Sequence, residues 1–271
     1  MQDFNGKVVV ITGGATGIGF SFAKQFGAEG AKLVIASRRK ERVDEAVAAL
    51  KDLGYEAAGT ACDVSKRTDV EALADFAWKT YGKADVLLNN AGVAQTNRGS
   101  VITLDMSEFD TVYGINIYGT LHGLQVFGQR FMEQGTPAAI YNVGSENSFF
   151  PAVPGSSAYV SSKHAIWGIT EQLAEDVPDF IDVSLICPGY VKSEMTAGNP
   201  GGMDTDAYTT LAMKQLKAGE FYVVSHAYNI VRIDERYDAV RKAFETYAPR
   251  YDGDDEHDVR CMIAKMMAAR K

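Results

Sequence analysis

Short runs of apolar and small residues alternate along the chain with longer segments whose apolar positions recur every three or four residues. The runs Lys7–Thr12 (KVVVIT), Lys32–Ala36 (KLVIA), Tyr55–Ala61, Asp85–Leu88 (DVLL), Pro137–Val143, Ile181–Cys187 and Phe221–Ser225 (FYVVS) read as seven strands. Several lack any polar alternation, as a strand buried on both faces requires. Between them the 3.6-residue period predicts helices over 20–29, 41–53, 65–81, 107–134, 157–175 and 205–218, and beyond the last strand over 234–247. In the second of these, Val43, Ala46, Val47, Leu50 and Leu53 share one side, and Gly54 can close it. Ser65 is placed to cap the third, and Gly82 to end it. Strand and helix in strict alternation predict an α/β fold: a doubly wound parallel sheet of about seven strands with helices on both faces.

The segment 107–134 carries Gly114, Gly119, Gly123 and Gly128. Each interior glycine costs a helix about 1 kcal/mol relative to alanine, so the pattern predicts close packing or a kink there. Residues 193–204 form a loop rich in Gly, Pro and Asn, within a region of about 190–220 suited to covering a ligand. The stretch 252–258 is acidic and expected to be solvated, and 259–271 is a final helix or a frayed end. No repeat or linker divides the chain, which predicts one domain over 1–271 with a variable segment at about 226–271.

Composition narrows the chemistry. The 271 residues carry a net charge of −8, against a general nucleic-acid or anionic-membrane partner. Three scattered cysteines (Cys62, Cys187, Cys261) without a CxxC suit a reducing cytoplasm better than a disulfide framework. Four histidines show no metal-ligand spacing, and no metal is expected. The first residues lack a basic region followed by an apolar core, so no signal peptide is expected, and no apolar run is long enough to span a bilayer.

The residues that can do chemistry sit where strands end. Lys7–Thr12 runs into Gly13-Gly14-Ala15-Thr16-Gly17-Ile18-Gly19 and then a helix. Such glycines let a backbone approach a pyrophosphate at a helix N-terminus, or simply turn a strand into a helix. The second strand ends at Ser37-Arg38-Arg39. An acid near this point binds a ribose 2′-OH, whereas an arginine accommodates a 2′-phosphate. With the acid absent, NADP is expected in preference to NAD; the alternative is a basic helix start with no ligand. Tyr159 and Lys163, four apart on a helix, share a face. That pair is either a solvated surface or a phenol whose pKa an ammonium lowers towards use as an acid/base.

Taken in order, TGGATGIG (Thr12–Gly19), Asp63-Val64, NNAG (Asn89–Gly92), Asn116, Ser145, YVSSK (Tyr159–Lys163) and PGYVKS (Pro188–Ser193) resemble the short-chain dehydrogenase/reductase family in its compact form, over residues 5 to 193. The resemblance implies a Rossmann fold and a role for each matching residue. Tyr159 would be the catalytic acid/base, and Lys163 would lower its pKa and hold the nicotinamide ribose. Ser145 would hydrogen-bond the substrate oxygen, and Asn116 would hold a water in a relay to Lys163. Gly13, Thr16, Gly17, Ile18 and Gly19 would line the pyrophosphate, and Ser37 and Arg38 the 2′-phosphate. Asp63 and Val64 would flank the adenine, Asn90 and Gly92 the adjoining ribose, and Val191 and Ser193 the carboxamide. Three features depart from the commonest pattern: Ser145 and Tyr159 are 14 positions apart, Glu146-Asn147 follow the serine, and Ser193 replaces threonine.

The expected function is hydride transfer between NADP(H) and a small-molecule secondary alcohol or ketone, bulky or aromatic, in a cytoplasmic homodimer or homotetramer built on helices 107–134 and 157–176. Phe149, Phe150, Tyr190 and Met195 are candidates for pocket walls or equally for core, and Glu146 for substrate or solvent. An NAD-linked dehydrogenase of a steroid-like or aryl alcohol is the alternative within enzymes. Outside them, it is a nucleotide-binding sensor that lost catalysis.

Overall fold

The computed structural model describes residues 1–196 and 201–269. Seven strands form one parallel sheet in the order β3-β2-β1-β4-β5-β6-β7. They are β1 (Val8–Thr12), β2 (Lys32–Ser37), β3 (Ala57–Ala61), β4 (Val86–Asn89), β5 (Ala138–Val143), β6 (Ile181–Cys187) and β7 (Tyr222–Val224). Strand order reverses beside β1, where Ile11 lies between Ile35 of β2 and Leu88 of β4. In an open α/β sheet a ligand crevice opens at the carboxyl ends of the strands on either side of that reversal.

Two apolar layers hold the helices on the sheet. On one face Phe22 and Phe26 of α1 (Gly17–Ala28), Leu50 of α2 (Lys40–Asp52) and Tyr208 of α7 (Thr205–Ala218) pack with Val9 and Ile11. On the other, Leu73 of α3 (Arg67–Tyr81) and Phe127 of α5 (Gly119–Gln134) pack with Val10, Leu87 and Ile140, and Ile169 of α6 (Ser157–Asp176) adds to that layer. In α2 the predicted side buries Val43, Ala46 and Leu50, while Leu53 at its end is exposed. Helix α3 starts one residue later than the cap reading places it. Its N-cap is Lys66, because the Ser65 hydroxyl donates to Asp63 at 2.7 Å instead. Gly82 ends α3 in the left-handed conformation, φ +77°.

The predicted long helix 107–134 is three pieces: α4 (Met106–Tyr113), a π-helical turn (Gly114–Tyr118) and α5. A Cβ on Gly119 would lie 2.6 Å from Val64 Cγ2, and one on Gly123 2.3 Å from Asn89 Oδ1. Those two glycines let α5 lie close against the sheet, while the π turn takes up the extra residue around Asn116. The short turn Glu194–Thr196 opens the predicted loop 193–204, of which residues 197–200 lie outside the described residues, as do 270–271 of the final helix prediction.

Although no linker marks it, the described residues group into two compact units that divide after Ala227. The second unit holds α8 (Asn229–Tyr247), a short 3₁₀ turn (Asp254–His257) and α9 (Val259–Ala268). Helix α8 begins five residues before the sequence prediction, its first turn being the apolar Ile230-Val231. No helix among the described residues is long and apolar enough to cross a membrane.

Candidate functional site

The carboxyl ends of β1 to β6 border a cavity of about 850 Å³. At its floor the chain leaves β1 through Gly13, φ +63°, and enters α1 at Gly17, φ +56°. A side chain at Gly13 would meet Ala91 Cα at 2.9 Å, and one at Gly19 would meet Asn90 Nδ2 and the Gly13 carbonyl at 2.4 Å. The amide of Asn90 explains the crowding, because it donates to the carbonyls of Thr12 (2.9 Å) and Gly13 (3.1 Å) and staples β4 to the glycine turn. The side chain predicted to face a ribose is therefore engaged with the backbone. What remains is a bare cradle at a helix N-terminus, the environment in which backbone N–H groups receive an anion.

Ser37, Arg38 and Arg39 at the end of β2, and Cys62, Asp63 and Val64 at the end of β3, line the next part of the cavity. Burial alone would raise the Asp63 carboxyl. The Ser65 hydroxyl and N–H, with Lys66 and Arg38 nearby, outweigh it and hold Asp63 below the usual carboxylate range. Burial raises the Cys62 thiol to about 12, so it is a neutral wall. Val191 and Ser193 close the far side: Ser193 N–H donates to Thr196 Oγ1 (2.8 Å), which donates to the Val191 carbonyl (2.9 Å). A Cβ on Gly17 would lie 3.5 Å from Ser193 Cβ, so this loop meets the glycine turn. The chain thus offers a cradle that side chains would fill, cations where a phosphate would lie, and polar loops at the other end. That donor set fits a nicotinamide dinucleotide.

The opposite wall carries Ser145, Tyr159 and Lys163. Ser145 begins a 3₁₀ turn, Glu146–Ser148, and its Oγ accepts from Asn147 N–H (3.1 Å) and Asn147 Nδ2 (3.2 Å). Asn147 Oδ1 also accepts from Ala152 and Val153, tying the loop before α6 to the serine. Ser148 Oγ accepts from Ser145 N–H and donates to the Lys163 carbonyl at 2.9 Å. This turn and the loop that Asn147 holds lie between Ser145 and Tyr159.

Burial, reinforced by the Glu146 charge and only partly offset by Ser145 beside it, raises the Tyr159 phenol above the ordinary value. This corrects the expectation that Lys163 lowers it. Lys163 Nζ lies 5.8 Å from the Tyr159 ring centroid and donates to the Val143 carbonyl at 2.8 Å. Burial brings Lys163 itself down to about 8. Asn116, in the π turn, clamps Val93 by accepting from its N–H (2.8 Å) and donating to its carbonyl (3.1 Å), and also donates to Ser162. Gly92 lies between: a Cβ there would stand 3.3 Å from Asn116 Oδ1 and 3.7 Å from Lys163 Nζ.

Of the four candidate wall residues, Met195 lines the cavity. Phe149 is in the core, its ring 5.2 Å from that of Trp167, and Phe150 is likewise buried. Glu146 is buried, which excludes the solvent alternative for it. Sequence reasoning missed Val93, Ala94, Gln95, Thr96 and Ile115, which line the cavity. Gln95 bridges loops by donating to the Gly155 carbonyl (2.9 Å) and accepting from Ala158 N–H (2.9 Å) at the start of α6. The first four continue directly from the NNAG strand end, and that was the signal available.

A family model described as short chain dehydrogenase matches residues 7–204. Tropinone reductase-like 3 of Erythroxylum coca is 35% identical over 189 residues, covering 69% of this chain and 71% of that one. C alpha-dehydrogenase of a Sphingobium species is 34% identical over 213 residues, covering 77% and 69%. The crystal structure of a short-chain dehydrogenase/reductase from Burkholderia phymatum in complex with NAD superposes with a TM-score of 0.84 at 28% identity, covering 93% of this chain and all (100%) of that one. With the parallel seven-stranded sheet and the strand-end motifs in place, a match across most of the chain makes it a member of the short-chain dehydrogenase/reductase family of oxidoreductases.

Proposed function

We propose that the protein is an NADP-dependent alcohol dehydrogenase or ketone reductase acting on a bulky or aromatic secondary alcohol/ketone pair, with Tyr159 as the acid/base. The observation that carries this is that Ser145, Tyr159 and Lys163 line the same cavity as the bare glycine cradle. When bound there, NADPH supplies the hydride that reduces the carbonyl carbon. Gly13, Thr16, Gly17, Ile18 and Gly19 would receive its pyrophosphate, Ser37 and Arg38 its 2′-phosphate, and Val191 and Ser193 its carboxamide.

The chain's own part is to hold a carbonyl and deliver one proton. Two donors from Asn147 occupy Ser145 Oγ, so the serine's own hydrogen can be directed to the substrate oxygen. A phenol raised by burial stays protonated at neutral pH, the form that donates to a developing alkoxide. Hydrogen bonds from Ser145 and Tyr159 are preorganised for that charge, where such stabilisation counts most. In the oxidative direction Tyr159 must lose its proton against the opposition of its burial. The Asn116 amide, fixed by Val93, would anchor the water through which Lys163 exchanges protons with solvent.

Preference for NADP rests on Arg38 at the end of β2 and on the absence of an acid at Ser37. Ala94, Ile115 and Met195 give the cavity an apolar side suited to a bulky substrate. The three described cysteines are free, consistent with the cytoplasm, and assembly into a homodimer or homotetramer through α5 and α6 is the arrangement expected of the family. The test is oxidation of NADPH and of NADH with a panel of small and aryl ketones. Turnover with NADH alone supports the NAD-linked alternative, and cofactor binding without turnover supports the sensor.

A further inference from the structure

Helix α8 leaves its apolar residues in solvent. Of its 19 residues Asn229 is the buried one. Ile230, Ile233, Tyr237, Val240, Phe244 and Tyr247 follow alternate spacings of three and four. Five of them are large exposed hydrophobics, Ile230 at 57%, Phe244 at 63% and Tyr247 at 86%. That is the a/d repeat of a coiled-coil seam, narrower than the stripe by which a helix packs on a globular core. A helix of this length gains most of its stability from a packed face.

We propose that α8 is a self-association surface, on which two copies of this chain pair their α8 helices antiparallel. Centring the pair between Tyr237 and Val240 seats each a residue opposite a d residue: Ile230 on Tyr247, Ile233 on Phe244 and Tyr237 on Val240, each met twice by symmetry. Small faces large in the outer layers, as interdigitation requires. In that register the flanking Asp234 of one copy meets Arg241 of the other, also twice. Arg241 now pairs with the exposed Asp238 of its own helix at 3.3 Å, a contact that is easily exchanged. Parallel pairing instead brings Arg236 against Arg241 of the partner helix. A second copy is thus the occupant whose charges and spacing the seam fits.

Other covers fit less well. Asp234, Glu235, Asp238 and Glu245 balance Arg232, Arg236, Arg241 and Lys242, leaving α8 without the cationic excess that an anionic bilayer attracts. Helix α9 has an apolar face of its own, but at 10 residues it spans about 15 Å, against about 25 Å for the seam.

Sedimentation equilibrium of the full-length chain tests this, with far-UV circular dichroism and the main thermal transition checking that the sheet domain stays folded. Val240→Glu with Phe244→Glu is expected to halve the mass of the assembly, whatever other contacts the protein makes. Arg241→Asp is expected to weaken association about tenfold by opposing two carboxylates, and Asp234→Arg combined with Arg241→Asp to restore it. An unchanged mass in the double glutamate variant overturns the proposal, whether α8 is then covered by its own chain or by a different protein. Tighter association in Arg241→Asp overturns the antiparallel register.

Discussion

Lys163 Nζ donates to the carbonyl oxygen of Val143 at 2.8 Å, pinning the ammonium of α6 to the carboxyl end of β5. The position is costly for folding. Burial brings the lysine from 10.5 to about 8, so below pH 8 the folded state keeps a proton at a price in desolvation. The sign follows from proton counts. Between pH 8 and 10.5 the unfolded chain binds more protons than the folded one, so this group's contribution to stability rises with pH across that window. Lys163→Met removes the effect. The variant's stability relative to wild type should therefore fall by about 2 kcal/mol between pH 7 and pH 9.5. Urea unfolding at both values measures it. A constant difference would mean that Lys163 is not desolvated.

Tyr159→Phe deletes the phenolic hydroxyl that lines the cavity with Ser145. Ketone reduction should fall at least about 10³-fold in kcat, at the upper end of what a positioned acid contributes. NADPH affinity, measured by fluorescence titration, should change less than about threefold, since the cradle at Gly13 to Gly19 is untouched. A variant retaining near-normal kcat would remove Tyr159 from the chemistry.

Asn147→Leu keeps the backbone donor to Ser145 Oγ and removes the side-chain donor, along with the acceptor for Ala152 and Val153. The serine hydroxyl becomes free to rotate and the loop before α6 loosens. A drop of about 10- to 100-fold in kcat is expected, with cofactor affinity held, because misorientation of one donor is worth about 1.4–3 kcal/mol. Ser145→Ala in the Asn147→Leu background should add little further loss. Fully additive losses would show that Asn147 acts elsewhere than through Ser145.

Much of this arrangement was legible in the residues because strands buried on both faces announce themselves. β6 (Ile181–Cys187) and α7 (Thr205–Ala218) fall on the predicted residues. The π turn was not legible: the glycines of 107–134 signalled a disruption, yet its form depends on how closely Gly119 and Gly123 meet Val64 and Asn89, which are distant in sequence. The Tyr159 phenol was misread for a related reason. An i, i+4 spacing gives a shared face but no dielectric, and burial in the cavity wall raises the phenol. Phe149 could not be assigned to core or cavity until Trp167 and Tyr222 were placed against it.

Arg38 decides the last prediction. It stands at the end of β2 on the cavity wall, close enough to Asp63 to help hold that carboxyl in its charged form. A guanidinium here can meet a 2′-phosphate with paired, charge-assisted hydrogen bonds, each worth about 1.5–3 kcal/mol. Arg38→Asp replaces them with repulsion of the phosphate and supplies the acid that accepts from a 2′-OH. The ratio of kcat/KM for NADP over NAD should fall by about 10²- to 10³-fold, most of it through KM for NADP. Raising the salt concentration should weaken NADP binding by the wild type more than by the variant, because the contact is charged and partly open to solvent. If steady-state kinetics with both cofactors show the same ratio in the two proteins, Arg38 does not read the phosphate, and the cofactor preference lies elsewhere on the β2 and β3 ends.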